Sequence, residues 1–280
     1  MPGVASILLV TVPVLVFCGS WPSSETDRQS LFAWLFSQYG EDFLPALFAI
    51  RGAWLLLSQR KARAKLPSTP DLRGFGGFLA MLALYAVARW LKLPGLGYVS
   101  VVGMGWFLML ASKGAAVWRS LAAPGIWFVL ATPGLFKPLT LPLRIATAGS
   151  VAGMLNLLGV PVAEHGTVIV SLSQAGWNFT VADECSGTRT ITTLLFVALL
   201  VEGGAFRGAA KAIILLSAFP VGLAMNILRT LTIGVICDWR GEGVGLAFHD
   251  SLLAGAGPLI VGTGFILLLA HYFKQRVAPR

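Results

Sequence analysis

LLAGAGPLIVGTGFILLLAHY, residues 252–272, runs for 21 positions without an Asp, Glu, Lys or Arg. A helix rising ~1.5 Å per residue needs about 20 apolar residues to cross a hydrocarbon core ~30 Å thick. The stretch therefore reads as a membrane span, and Lys274, Arg276 and Arg280 follow it at once. Working outward from it, further apolar stretches lie at 4–19, 43–57, 74–91, 97–112, 121–139, 141–160, 188–203 and 211–230. Composition agrees: 56% of the 280 residues are hydrophobic and 12% are charged, against about 25% charged in a soluble domain. Lipid must be the solvent for much of this surface. The expected fold class is an all-α membrane protein, with the lipid bilayer as its first partner.

The formal net charge of +9 does not mark a nucleic-acid partner, because the basic residues form short clusters between apolar runs. Arg60, Lys61, Arg63, Lys65 and Arg73 share one loop, Lys113 and Arg119 another, Arg207 and Lys211 a third, and the C-terminus carries the fourth cluster. An excess of Lys and Arg marks cytoplasmic loops, so all four are expected inside. Most acids lie in or beside the remaining loops. Three apolar stretches separate the loops at 113–120 and 204–211, yet an even number of crossings must do so. The stretch 141–160 is the weakest, with Arg144, Gly149, Gly153 and Asn156 within it and Pro142 near its start. It is expected to be an interfacial or re-entrant helix on the outer side. About eight transmembrane helices remain, with residues 1–19 as the first span (a cleaved signal peptide being the alternative) and both termini in the cytoplasm.

No internal repeat and no long linker divides the chain. It reads as a single polytopic domain over 1–280, with N-terminal spans in 1–140 and a catalytic part in 141–280. The polar insertion 161–184 holds two short strand-like runs, Val168-Ile169-Val170 and Phe179-Thr180-Val181, around a Gly-containing turn. This predicts a small outer β-hairpin just ahead of Cys185.

There are three cysteines, Cys18, Cys185 and Cys237. Their spacing is not a zinc pattern, and three are too few for a disulfide framework, although one bridge involving Cys237 is open. No metal and no cofactor is expected. Cys18 reads as a small buried hydrophobe. Cys185 does not, because it stands in Glu184-Cys185-Ser186-Gly187-Thr188-Arg189 at the opening of a span. A thiol at a helix N-terminus meets free N–H groups and the positive end of the dipole, which favour the thiolate. Arg189, one helical turn on, could favour it further, and Gly187 would let a substrate backbone approach the sulfur. Asn226 and Arg229 share a face near the end of the next span, where an arginine either snorkels to the surface or faces a polar cavity. A guanidinium in a cavity could stabilise an oxyanion. His249 followed by Asp250 opens the last span, and a carboxylate beside an imidazole could orient it as an acid–base. His165 and His271 have no partner nearby in sequence and read as structural.

These blocks, in this order, resemble the exosortase/archaeosortase family of membrane transpeptidases. The lead-in is similar too, with Pro142-Leu143-Arg144, Leu157-Leu158-Gly159-Val160-Pro161-Val162, Gly166 and Phe179-Thr180-Val181-Ala182. A Tyr-His-Gly turn common in exosortases has its nearest match in Gln38-Tyr39-Gly40, without the histidine. The resemblance implies Cys185 as nucleophile, His249 as acid–base and Arg229 as transition-state stabiliser, with Arg189, Asn226, Gly187, Ser186 and Asp250 in support. It implies a site on the outer face of the cell membrane. Its substrates would be exported proteins with a C-terminal tail of motif, hydrophobic span and basic end. The released acyl group would pass to an acceptor or to water.

Two other classes are the alternatives. A thiol acyltransferase would use the same nucleophile, and a non-enzymatic subunit of a polysaccharide-export system would need none of it. A transporter would place its polar groups near the midplane and show repeat symmetry, and neither is seen. The charge pattern sets a first test. A thiol introduced by Gly176→Cys should react with an impermeant maleimide from outside intact cells, and one introduced by Arg63→Cys only after permeabilisation. Labelling at 176 from the cytoplasmic side alone would overturn the topology.

Overall fold

The computed structural model describes residues 20–22, 28–30, 43–173, 176–202 and 208–277. The proposed first span, Cys18 and Gln38-Tyr39-Gly40 lie outside them. The chain falls into two compact units, Met1–Leu135 and Phe136–Arg280.

In the first unit, short antiparallel strands β1 (Ser20–Pro22) and β2 (Arg28–Ser30) precede, among the described residues, six helices. These are α1 (Phe43–Ser58), α2 (Arg60–Ala64), α3 (Arg73–Trp90), α4 (Pro94–Lys113), α5 (Ala115–Ser120) and α6 (Ala122–Leu130). Helices α3 and α4 pack closely. Gly74 of α3 lies so close to the Ala111 backbone of α4 that no side chain would fit between them. So close a backbone approach, made possible by a residue without a side chain, gives the pair its van der Waals contact. Phe78, Tyr85, Ala88 and Met104 fill the seam.

The second unit opens with α7 (Lys137–Leu157). Strands β3 (Val162–His165), β4 (Val168–Ser171) and β5 (Asn178–Thr180) then form an antiparallel sheet in the order β3-β4-β5. A single 3-10 turn at Asp183–Cys185 leads to α8 (Thr188–Glu202), α9 (Gly208–Arg240), α10 (Glu242–His249) and α11 (Leu252–Val277). Two apolar clusters fill this unit. Leu194, Ala198, Ile214, Ala218, Ile266 and Ala270 join α8, α9 and α11. Val151, Leu155, Ile169, Trp177, Val181, Ile233 and Cys237 join α7, the sheet and the far end of α9.

The fold differs from the sequence expectation in two places, the spans and the small sheet. Among the described residues three helices are long and apolar enough to cross a membrane, Pro94–Lys113, Gly208–Arg240 and Leu252–Gln275, while Leu44–Ser58 and Thr188–Val201 are apolar but shorter. The eight expected spans are thus not all full-length helices. The stretch 121–139 is the clearest case. Helix α6 stops at Leu130, Gly134 turns the chain at φ 69°, and α7 starts at Lys137. Nine residues cover only ~13 Å. The 141–160 stretch, expected to be an interfacial or re-entrant helix, is helical as far as Leu157, within one helix of 21 residues, ~31 Å long, that is not among the three long and apolar enough to cross. Finally, the predicted hairpin is a three-stranded sheet. The missed strand, Val162–His165, turns into β4 through Gly166-Thr167, with Gly166 at φ 67°. Glycine opens such two-residue turns without strain, but Glu164 and His165 hide the strand from an apolar pattern.

Helix α10 folds back along α9. Gly241 reverses the chain at φ 90°, and Gly245 then presses against Cys237, where an added Cβ would overlap the sulfur. Overfilling such a contact costs about 1–3 kcal/mol. Gly245→Ala should therefore lower the unfolding free energy of the purified protein by that amount, and Cys237→Ala in the same chain should return most of it. A double variant no more stable than Gly245→Ala would show that this contact does not seat α10.

Candidate functional site

Cys185 is the last residue of the 3-10 turn and is 5% exposed. Its Sγ lies 3.0 Å from Nε2 of His249, which ends α10. The other imidazole nitrogen, Nδ1, lies 2.8 Å from Oδ1 of Asp250. An ionised carboxylate can only accept, so Nδ1 carries the proton and donates it. Nε2 is then left to accept from the thiol. Asp250 is largely exposed, so the pair is screened and contributes orientation rather than much stability. Ser251 fixes the corner that follows, its Oγ accepting from the Ala254 N–H at 3.2 Å.

The thiol is held by its backbone. Asn226 is 1% exposed, and its Nδ2 donates to the Cys185 carbonyl at 2.5 Å and to Thr147 Oγ1 of α7 at 3.3 Å. Asn226 lies inside α9, more than three turns before its end, and not at the helix end as the apolar pattern suggested. Gly187 has φ 80°, a conformation costly for any residue with a side chain. A Cβ there would also sit 3.0 Å from Cβ of Asn226. Its role in the structure is thus to bring the cysteine turn against Asn226. Ser186 is fully buried, shares a hydrogen bond of 2.8 Å with Thr188 Oγ1 and accepts from the Thr188 N–H at 3.3 Å. It starts α8 three residues after the cysteine.

Arg229, one turn beyond Asn226, donates from Nη2 to the His249 carbonyl at 3.3 Å. Its Nε is buried and has no acceptor among the described residues. Arg189 stands apart. The chain turns at Gly187 and α8 begins only at Thr188, so the four-residue spacing from Cys185 is not one helical turn. Its side chain is exposed, with no ion pair among the described residues.

Arg144 is the residue that sequence reasoning undervalued. Its Nε donates to the Val181 carbonyl at 2.5 Å, Nη1 to Asp183 Oδ1 at 2.7 Å, and Nη2 reaches Thr167 Oγ1 at 3.5 Å. One guanidinium thus ties α7 to the end of the sheet and to the turn that carries Cys185. The signal was present, since an arginine inside an apolar stretch needs a polar partner. Asp238, another residue without an assigned task, accepts from Ser173 Oγ at 3.0 Å and Trp177 Nε1 at 3.3 Å, pinning the β4–β5 loop to α9. Among the described residues no disulfide joins Cys185 to Cys237.

Residues 37–270 match the model of the transmembrane exosortase family. The chain belongs to that family. No curated protein and no solved structure was found to match it. Exosortase membership brings a general class of activity, that of a membrane cysteine transpeptidase or protease. The thiol–imidazole contact lies within the matched residues.

The buried amide gives a stability test. Asn226→Ala leaves the Cys185 carbonyl without its donor, which costs about 1–3 kcal/mol for a buried group. Unfolding of the purified variant should show that loss, and Asn226→Asp should not restore it, because a carboxylate cannot donate to a carbonyl. Wild-type stability in Asn226→Ala would remove the amide from the account of how the turn is held.

Proposed function

We propose that the protein is a membrane-embedded cysteine protease and transpeptidase that removes the C-terminal sorting tail of exported proteins at the outer face of the cell membrane. The observation that carries this reading is the 3.0 Å contact between Cys185 Sγ and His249 Nε2. Residues 64 positions apart in sequence meet there, with Asp250 behind the imidazole. Within a family of membrane transpeptidases, that pair supplies a nucleophile and its base.

The steps follow from the groups present. His249 takes the thiol proton, and the thiolate adds to the scissile carbonyl. The negative charge that develops on the oxygen is met by Arg229, which still has donor capacity. As the tetrahedral species collapses, the C–N bond breaks. The imidazolium gives its proton to the leaving amine, and the tail departs with a new N-terminus. The thioester on Cys185 then passes to an acceptor amine or to water, with His249 as base again.

The length of α9 supports an outer site. Its 33 residues extend ~50 Å, more than the ~30 Å hydrocarbon core. Asn226 lies ~27 Å from the first residue of the helix, so a start at the inner surface brings the cysteine turn to the outer boundary. A substrate anchored by its own span would present its scissile bond at that depth, with the basic end of the tail left inside.

Two substitutions test the reading on a tail-bearing reporter, with cleavage normalised to enzyme in the membrane. Cys185→Ala should abolish processing. Arg229→Lys keeps a cation but loses the planar fork of donors, and should slow cleavage at least about 100-fold, the usual cost of one aimed oxyanion donor. Full processing by Cys185→Ala at normal abundance would end the cysteine mechanism. Near-normal turnover by Arg229→Lys would make the arginine a positioning group for His249.

A further inference from the structure

The three-stranded sheet has two outer edges, and the structure treats them differently. At the β3 edge, the backbone groups of Val162 point away from β4. Both are taken by one side chain: the Val162 N–H donates to Asn156 Oδ1 at 3.0 Å, and Asn156 Nδ2 donates to the Val162 carbonyl at 3.1 Å. An asparagine amide has the donor and acceptor of a peptide unit, so Asn156 stands where a fourth strand would pair. Among the described residues the β5 edge has no such cover. Ser171 N–H donates to the Trp177 carbonyl and Val181 N–H to the Thr167 carbonyl, each at 2.8 Å, with Phe179 opposite Ile169. In an antiparallel ladder the alternate residues face outward. The N–H and C=O groups of Asn178 and Thr180 therefore point away from β4, and no hydrogen-bond partner for them is found among the described residues.

An uncapped edge is a template for another extended chain. This one ends five residues before Cys185, and Arg144 and Asn226 hold the intervening turn in place. Trp177 and Phe179, stacked with centroids 5.6 Å apart, sit on the core side of β5 and keep the short strand from peeling away.

We infer that the outer edge of β5 is the substrate-docking strand: an extended peptide, the segment of the exported protein around its scissile bond, pairs with the backbone of Asn178 and Thr180. This deepens the proposed function and rests on it. Pairing through the main chain makes no demand on substrate side chains next to the edge. It also straightens the peptide, as attack by a fixed thiolate requires.

Proline at 180 is the direct probe. It deletes an outward N–H that β4 does not use, and a strand tolerates it at such a position. Thr180→Val keeps the N–H and is the control. Two reagents are applied to the full-length enzyme in lipid nanodiscs. Iodoacetamide needs no backbone pairing. A peptidyl vinyl sulfone, carrying the six residues that precede the hydrophobic tail of an exported host protein, does. Thr180→Pro should cut the rate of Cys185 labelling by the peptidyl reagent about tenfold, the equivalent of one hydrogen bond. Its labelling by iodoacetamide should stay at the wild-type rate, as should both rates for Thr180→Val. Equal peptidyl labelling of wild type and Thr180→Pro would overturn the docking strand and leave the cysteine mechanism standing. A parallel fall in both rates would assign the effect to a disturbed turn and overturn it as well. No peptidyl labelling of the wild-type Cys185 would instead overturn the protease reading itself.

Discussion

The amide of Asn226 is the constraint on which the second unit depends. It is buried in the middle of α9, and its two N–H groups reach in different directions, to the Cys185 carbonyl and to Thr147 on α7. A side-chain amide in an apolar interior cannot be left half paired, because the unmet group costs more than a met one returns. The requirement therefore fixes three elements at once. It selects the depth at which the cysteine turn meets α9 and explains why residue 187 must be glycine, since a side chain there would separate the two.

Around that amide the unit is layered. On one side the Leu194–Ile214–Ile266 cluster joins long apolar helices. On the other the Trp177–Ile169–Cys237 cluster carries the small sheet. Between them lie polar side chains with almost no exposure, Thr147, Ser186, Asn226 and Thr230. Their hydrogen bonds close among themselves and nearby backbone, as with Thr230 Oγ1 donating to the Asn226 carbonyl at 3.0 Å. Such a layer holds a backbone in one geometry, where lipid-like packing alone would allow sliding. Helix α9 runs through all three layers, and α10 returns along its last turns to bring His249 back to the cysteine.

Much of this was legible from the sequence, and what was not has physical causes. Cys185, Asn226, Arg229 and His249 stand out because polar residues beside apolar runs are expensive and rarely idle. That they converge is a property of the return of α10, and Gly245 against Cys237 gives no periodic signal for it. Helix bounds failed where hydropathy and geometry part. Residues 121–139 are apolar but for Thr132 and Lys137, yet Pro133-Gly134 divides them. Residues 231–240 are less apolar, yet they prolong α9 because their inner face meets a sheet instead of lipid. Strand β3 was hidden by Glu164 and His165, whose exposed side chains mask a register that Asn156 and Gly166 impose. Arg189 misled because spacing along a helix was applied to residues that straddle its start.

The three arginines of this unit near the cysteine turn show how donor accounting separates roles that sequence spacing cannot. A guanidinium has five N–H donors and no other way to shed its charge. Arg144 directs three nitrogens at three partners, and a group so fully committed to the fold has little left to offer a substrate. Arg189 is exposed and has no ion pair among the described residues, so holding its donors in one place would cost side-chain entropy. Arg229 is neither. One nitrogen is fixed on the His249 carbonyl, and Nε is buried without an acceptor among the described residues. That arrangement costs stability in the resting protein. Donors fixed beside the proposed base would, however, meet an oxyanion developing within their reach without first reorganising. The debt left in the resting site is thus the kind that a transition state, and not the fold, would discharge.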